Sequence, residues 1–247
     1  MHEEARARIF YGIKYDKGGV LFTGEVGTGK TTVTKVVEKR LLDRNINVGT
    51  ITNPSLDSND FLREILFQLG VKTQATSKLD LIHNINDRFM ANHKKGTKTV
   101  LIIDEAHLIT DAHILEELRL LLNFQSEGKF LLTLILVGQP ELRKTIHSIP
   151  QLDQRLTIKF HLNHLSLPDT KDYIFYRLKK AGRTKDPIFT MDAIQLIHHH
   201  TGGVPRRINQ ACDLSLLAGY SEKKPWVDRD TVQKVLADER RHGYSDD

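Results

Sequence analysis

A glycine-rich stretch near the amino terminus carries residue types that bind phosphate. Residues 24–31, GEVGTGKT, fit the P-loop pattern G-x-x-x-x-G-K-[ST]. The apolar run before it and the helical spacing of valines after it predict a strand, a loop and a helix. Flexible glycines let the loop point its backbone N–H groups inward, and the helix start adds the positive end of its dipole. We therefore expect a nucleotide phosphate site formed by Gly24, Glu25, Val26, Gly27, Thr28, Gly29, Lys30, Thr31 and Thr32.

Two residues of this stretch have separate expected roles. Lys30 is placed to reach the β- and γ-phosphates, and Thr31 offers a hydroxyl to Mg²⁺, an ion that takes few protein ligands and keeps most of its waters. The alternative is a glycine-rich turn that contains a lysine by accident. The strand and helix patterns on either side favour nucleotide binding over that alternative.

A second apolar run ends in two acidic residues. Residues 99–104, TVLIID, predict a central strand that is followed by Glu105. This is a Walker B pattern, in which we expect Asp104 to hold Mg²⁺, directly or through water, and Glu105 to orient and deprotonate the attacking water. Two acids at a strand end also occur by chance. The next residues, Ala106 and His107, complete the letters DEAH, but the sequence has no other motif of the DEAH helicases.

A glutamine follows another apolar run. Residues 131–137 lead into Gly138, Gln139 and Pro140. In a parallel sheet the carboxyl ends of the strands meet at the ligand crevice, so Gln139 is expected to lie between the two Walker elements and to sense the γ-phosphate or hold the water. A turn glutamine before a helix that starts with proline explains the spacing equally well.

The composition is that of an ordinary globular protein. Of 247 residues, 39% are hydrophobic and 27% are charged. The net charge of +5 permits contact with duplex DNA or an anionic membrane surface without requiring it. We find no apolar run long enough to cross a bilayer and no apolar signal core, so a cytoplasmic protein without a transmembrane segment is expected. The single cysteine, Cys212, is expected to be a small core residue.

Strand and helix patterns alternate in the first two thirds of the chain. Strands are predicted at residues 19–23, 46–52, 99–104, 131–137 and 157–162, and helices at 30–43, 58–69, 78–93 and 112–125. This alternation predicts an α/β fold with a parallel sheet covered on both faces. Beyond residue 168 only helical patterns follow, at 169–181, 190–200, 205–219 and 229–241. We therefore expect a P-loop ATPase core at residues 1–167 and a small all-helical lid domain at residues 168–247.

Five stretches extend the pattern beyond the Walker motifs: YGIKYDKGGVLFTGEVGTGKTT, LIIDEAHLI, LEELRLLLNFQSEGKFLLTLILVGQPELRK, LDQRL and TGGVPRRINQACDLSLLAG. Together they resemble the ATPase domain of the ExeA family, also named general secretion pathway protein A, within the AAA+ class. The match runs from about Phe10 to the C-terminus. Transposition ATPases of the TnsC and TniB type look similar through the core. The resemblance implies a three-layer αβα AAA+ domain followed by a helical lid.

The resemblance also implies roles for residues outside the Walker motifs. Arg155 in LDQRL matches the arginine finger, which in AAA+ rings reaches the γ-phosphate held by the neighbouring subunit. Arg206 in GGVPRR matches sensor 2, which contacts the nucleotide of its own subunit, with Arg207 as the alternative. Gln139 falls at the sensor 1 position, and Asn53 in TITNPS matches the polar residue that can restrain the catalytic glutamate. Without the family pattern, both arginines would be read as surface cations.

The function implied by the resemblance is that of an oligomeric ATPase that uses Mg²⁺ and ATP to drive or regulate a partner assembly, in this family a secretion assembly. The preference for ATP over GTP comes from the family. ExeA proteins usually continue into a membrane span and a peptidoglycan-binding region that this sequence does not contain, and His107 stands where glutamine is expected. The alternative expectation is an ATP-dependent, DNA-binding regulator of transposition or recombination, as in the TnsC and TniB type.

Overall fold

The computed structural model describes residues 2–44, 46–183 and 187–241. Among these residues, no helix is both long enough and apolar enough to cross a membrane. The strands are β1 (Gly19–Gly24), β2 (Asn47–Ile51), β3 (Thr99–Ile103), β4 (Gln125–Ser126), β5 (Lys129–Phe130), β6 (Leu132–Gly138) and β7 (Ile158–Leu162). The helices are α1 (His2–Lys14), α2 (Lys30–Leu42), α3 (Ser58–Gln68), α4 (Lys78–Lys94), α5 (Ala112–Leu121), α6 (Pro140–His147), α7 (Pro150–Arg155), α8 (Leu167–Lys180), α9 (Met191–Thr201), α10 (Pro205–Ser221) and α11 (Arg229–Arg241).

The central sheet has five strands in the order β2-β3-β6-β1-β7, and every neighbouring pair is parallel. All residues of β1, β3 and β6 are buried, which explains why their sequences are almost continuously apolar. Successive side chains of β3 join different hydrophobic clusters, Leu101 and Ile103 on one face and Val100 and Ile102 on the other. Both faces of the sheet are therefore covered, and the α/β fold expected from the sequence is confirmed.

The contacts divide the chain into two compact units, Met1–Val26 with Lys30–Leu162, and Gly27–Gly29 with Asn163–Asp247. In the second unit, the elements that the structure describes from α8 onward are helices joined by turns, and the unit has a hydrophobic cluster of its own. Cys212 lies in this cluster, and burial raises the pKa of its thiol to about 12. The thiol is therefore uncharged at neutral pH, as expected for a core residue.

The helix predicted at residues 112–125 is shorter than expected and ends at Leu121. A two-stranded hairpin follows, in which β4 pairs with β5 across Glu127 and Gly128. Both turn residues have positive φ, 51° and 73°, which is typical of a tight hairpin turn. Two further helices were not predicted: α1, whose charged residues interrupt its apolar spacing, and the short α7.

Candidate functional site

Residues predicted from the sequence lie where the strands of the central sheet end. The P-loop follows β1, Asp104 follows β3, and Gln139 follows β6. All three strands are parallel and hydrogen-bonded in one sheet, so their carboxyl ends lie at the same edge. The backbone N–H of Asp104 also donates to the carbonyl of Ile51, the last residue of β2, at 2.8 Å.

The P-loop has the backbone geometry that its glycines permit. Gly27 and Gly29 have φ values of 79° and 99°, a region that residues with a Cβ rarely occupy. α2 begins at Lys30, so the loop lies directly before a helix N-terminus. Lys30 is only 7% exposed, and its Nζ donates to the carbonyls of Gly24 at 2.8 Å and Glu25 at 3.0 Å. The Lys30 ammonium group is thus hydrogen-bonded to the backbone of the first two residues of the P-loop.

A direct hydrogen bond joins the two Walker motifs. Thr31 Oγ1 donates to Asp104 Oδ2 at 3.0 Å, although the two residues are 73 positions apart. Asp104 is 5% exposed, and its Oδ1 accepts the backbone N–H of Glu105 at 3.0 Å. A hydroxyl and a carboxylate at this distance are the hard oxygen donors that Mg²⁺ prefers, and the ion uses few of them. The donor set fits a magnesium ion held by Thr31 and Asp104.

Glu105 has a strained backbone and a poorly satisfied carboxylate. Its φ and ψ are 50° and 34°, in the left-handed region that costs a residue other than glycine free energy. Its Oε2 is buried and accepts no hydrogen bond among the described residues, while His107 Nδ1 lies 3.4 Å away. The side chain as a whole is 41% exposed. A carboxylate with an unsatisfied oxygen next to the two oxygen donors that fit magnesium is suited to accept a proton from water.

His107 also contacts Gln139. The two Nε2 atoms are 2.9 Å apart, and the backbone N–H of Gln139 points to His107 Nδ1 at 3.4 Å. Sequence reasoning missed this contact because it joins residues 32 positions apart. The only signal in the sequence was that His107 replaces the glutamine expected at this place in the family pattern.

Arg155 lies at the opposite end of the sheet. It ends α7 just before β7, and its carbonyl oxygen lies 3.3 Å from where a Cβ on Gly18 would be. Gly18 precedes β1, whereas the P-loop follows β1, so about 20 Å of strand separates the two ends at about 3.3 Å per residue. The guanidinium of Arg155 lies 5.7 Å from the centre of the Phe130 ring, a contact that no sequence pattern predicts.

The remaining predicted residues lie on exposed positions. Within the second unit, the backbone N–H of Arg206 donates to the carbonyl of Gly27 at 3.2 Å. A Cβ added to Gly27 would lie 3.0 Å from Arg206 Cβ, so the glycine permits this close approach. The side chains of Arg206 and Arg207 are both exposed. Asn53 is exposed beyond the end of β2.

Comparison with known proteins defines the class of this molecule. Residues 13–146, more than half of the chain, match the family model described as "AAA domain". The chain therefore belongs to the AAA domain family, whose fold carries a P-loop at the position described above.

One curated relative is general secretion pathway protein A of Aeromonas hydrophila, which is 42% identical over 225 residues. That match covers 89% of this chain and 40% of the relative, so the chain spans less than half of the relative's length. Among solved structures, Cdc6p of Pyrobaculum aerophilum superposes with a TM-score of 0.71 at 14% identity, covering 96% of this chain and 66% of that one. The RuvB Holliday junction branch migration motor of Thermotoga maritima gives 0.65 at 19%, covering 95% and 68%. These two likenesses support the P-loop AAA+ fold.

Proposed function

We propose that this chain binds ATP with Mg²⁺ and hydrolyses it to ADP and phosphate. The observation that carries the proposal is the 3.0 Å hydrogen bond between Thr31 and Asp104, which joins a P-loop to an acidic strand end. In the proposal the backbone N–H groups of Gly24 to Thr32 and the ammonium of Lys30 bind the phosphates. Thr31 and Asp104 would hold Mg²⁺, which when bound neutralises charge on the phosphate oxygens.

The catalytic steps are assigned to Glu105 and Gln139, and a restraining role is assigned to Asn53. Glu105 orients the attacking water and accepts its proton, because it carries the carboxylate next to the proposed magnesium ligands. Gln139 lies at the end of β6 and contacts the γ-phosphate or the water from that side. Asn53 follows β2 and is proposed to restrain Glu105 until a ligand or partner arrives.

Arg155 is proposed to act on the nucleotide of a neighbouring subunit. Arg155 lies beside the amino end of β1, and the P-loop follows the carboxyl end of that strand. The two ends are about 20 Å apart, far more than an arginine side chain can span. A guanidinium supplies fixed positive charge where the transferring phosphoryl group spreads its negative charge. Because Arg155 lies too far from the P-loop of its own chain, the proposed active form is a homo-oligomer. In the same proposal Arg206, or Arg207 beside it, contacts the nucleotide of its own subunit from the helical lid domain at residues 168–247.

The proposed partner is a protein of a secretion assembly, and the proposed location is the cytoplasm. Support comes from the relative named general secretion pathway protein A and its 42% identity. In this proposal the ATP cycle of the oligomer drives or regulates that assembly.

A second candidate is an ATP-dependent, duplex-DNA-binding regulator of transposition or recombination. The net charge of +5 and the pI near 9.2 favour it. Titration of duplex DNA with and without ATP at two salt concentrations separates the candidates. Phosphate contacts should make binding steeply salt-dependent, whereas absent or salt-insensitive binding would remove this candidate.

Replacement of Lys30 by Ala tests the nucleotide site directly. Hydrogen bonds to charged groups contribute about 1.5–3 kcal/mol each, so ATP affinity should fall at least about tenfold in calorimetric titrations. The matched control is Lys39→Ala, which removes an exposed lysine from the same helix. Removing Mg²⁺ with a chelator should stop phosphate release by the wild type. If folded wild-type protein shows no heat with Mg-ATP or its analogues, the proposal is wrong.

A further inference from the structure

His107 lies between two residues of the proposed hydrolytic site and contacts both. Its Nε2 is 2.9 Å from the side-chain nitrogen of Gln139, and its Nδ1 is 3.4 Å from Glu105 Oε2. We infer that His107 is a positioning residue that couples Gln139 to Glu105. The inference rests on the proposed function, because it assigns a role to the contact between the proposed phosphate sensor and the proposed base.

The imidazole is held in place by its surroundings. His107 is in a short 3₁₀ turn at Ala106–Leu108, and its side chain is only 12% exposed. Gly138, directly before Gln139, makes room for it: a Cβ at Gly138 would lie 3.2 Å from the backbone nitrogen of His107 and 3.3 Å from Nδ1. A side chain at Gly138 would therefore press on the ring. The close approach of β6 to the turn fixes the distance between His107 and Gln139.

The two ring nitrogens of His107 face different groups. Nε2 faces the side-chain amide of Gln139 at 2.9 Å, and Nδ1 faces the backbone N–H of Gln139 and Glu105 Oε2, each at 3.4 Å. A neutral imidazole has one N–H donor and one acceptor nitrogen, so Nδ1 either accepts the Gln139 N–H or donates toward Glu105 Oε2. Glu105 Oε2 is buried and accepts no hydrogen bond among the described residues. The position of Gln139 therefore influences whether the ring is available to Glu105.

His107 can transmit a movement of Gln139 to the carboxylate of Glu105. A movement of Gln139 that follows contact with the γ-phosphate would change the position of the imidazole and with it the direction of the Glu105 carboxylate. Glu105 also has left-handed backbone dihedrals, a strained conformation that the surrounding structure must hold in place. His107 therefore acts through Glu105 and Gln139, and it need not touch the nucleotide.

The test compares turnover with nucleotide affinity in single and double variants. For His107→Ala we expect kcat to fall about tenfold to hundredfold, the usual effect of losing a residue that orients a functional ligand. ATP affinity, measured by titration, should stay within about twofold, because the lost contacts are not to nucleotide. The double variant His107→Ala/Gln139→Ala should be no slower than the slower single variant, because both changes interrupt one coupling. His83→Ala, an exposed histidine of α4, is the matched control.

Two conservative variants separate positioning from simple packing. In His107→Gln the side-chain amide lies near the position of Nε2, and in His107→Asn it lies near the position of Nδ1. Each variant should therefore keep part of the turnover that His107→Ala loses. The inference is overturned if His107→Ala keeps wild-type kcat, if affinity alone falls, or if the two single losses multiply in the double variant. If His107→Ala does not fold by circular dichroism, His107→Gln and His107→Asn decide in its place. Absence of hydrolysis by the wild type would overturn the proposed function instead, which keeps the two failures distinct.

Discussion

The two ends of the central sheet differ in how their functional side chains are connected. At the carboxyl end, Thr31, Asp104 and Glu105 are linked by short hydrogen bonds within one chain. At the amino end, Arg155 lies over the ring of Phe130, about 20 Å of strand away from the P-loop. In the proposed function the carboxyl end binds the phosphates and magnesium, whereas the amino end supplies the cation Arg155 to a neighbouring copy. We interpret the pair as two halves of a site that is completed between copies.

The largest effect is expected from Arg155→Ala. An arginine finger contributes about 10³ to 10⁵ in rate, so hydrolysis should fall by that factor while ATP binding persists. Arg143→Ala, which removes an exposed arginine from α6, is the control.

Mixing experiments test whether Arg155 acts on the nucleotide of a neighbouring copy. In mixtures of Arg155→Ala and Glu105→Gln proteins, an interface that joins an intact Glu105 to an intact Arg155 should restore part of the hydrolysis. No recovery in assembled mixtures would contradict action between copies and leave Arg155 with a structural role, such as its contact with Phe130.

A smaller loss is expected from Glu105→Gln, which changes the carboxyl end alone. Removing a general base costs about 10² to 10⁴ in rate, so single-turnover hydrolysis should slow by that factor. ATP binding should be preserved, because the P-loop and the proposed magnesium ligands are unchanged. The exposed Glu141→Gln on α6 is the control. Wild-type turnover in Glu105→Gln would exclude this carboxylate as the base.

The smallest effect is expected from Phe130→Leu at the amino end. The cation–π contact with Arg155 contributes about 0.5–1 kcal/mol, which corresponds to a roughly twofold to fivefold loss of kcat. In mixtures, the loss should appear only when the change is on the chain that donates Arg155, that is, together with Glu105→Gln. Phe67→Leu, at a 72% exposed position of α3, is the control. An equal loss with the change on either chain would mean that Phe130 acts on folding and not on Arg155.

The carboxyl end was easier to predict from the sequence than the amino end, for a physical reason. A P-loop and a strand that ends in Asp104 and Glu105 are contiguous patterns, and parallel strands bring their carboxyl ends together. The α/β class was predictable from the same alternation of elements. The link from His107 to Gln139 was not, because it depends on how closely β6 approaches a turn 32 residues earlier. The left-handed backbone of Glu105 was also unpredictable, since glycine and asparagine are the usual residues there.

The hairpin that contacts Arg155 was missed because the helical pattern of α5 continues past Leu121. The chain reverses direction at Glu127 and Gly128, which both have positive φ values, and a glutamate does not usually indicate such a turn. For Arg155 itself, the family pattern supplied the expected role. Its place at the far end of the sheet follows from the strand predicted directly after it, which is β7 and runs parallel to β1.

The buried thiol of Cys212 makes the molecule convenient for site-directed fluorescence. It is the one cysteine in the sequence, and burial raises its pKa to about 12, so thiol-reactive dyes would find almost no thiolate there at neutral pH. A cysteine introduced by Lys129→Cys, at an exposed position of the hairpin, would carry a dye beside Phe130. Such a reporter would detect the arrival of a second copy at Arg155 without the natural cysteine being removed.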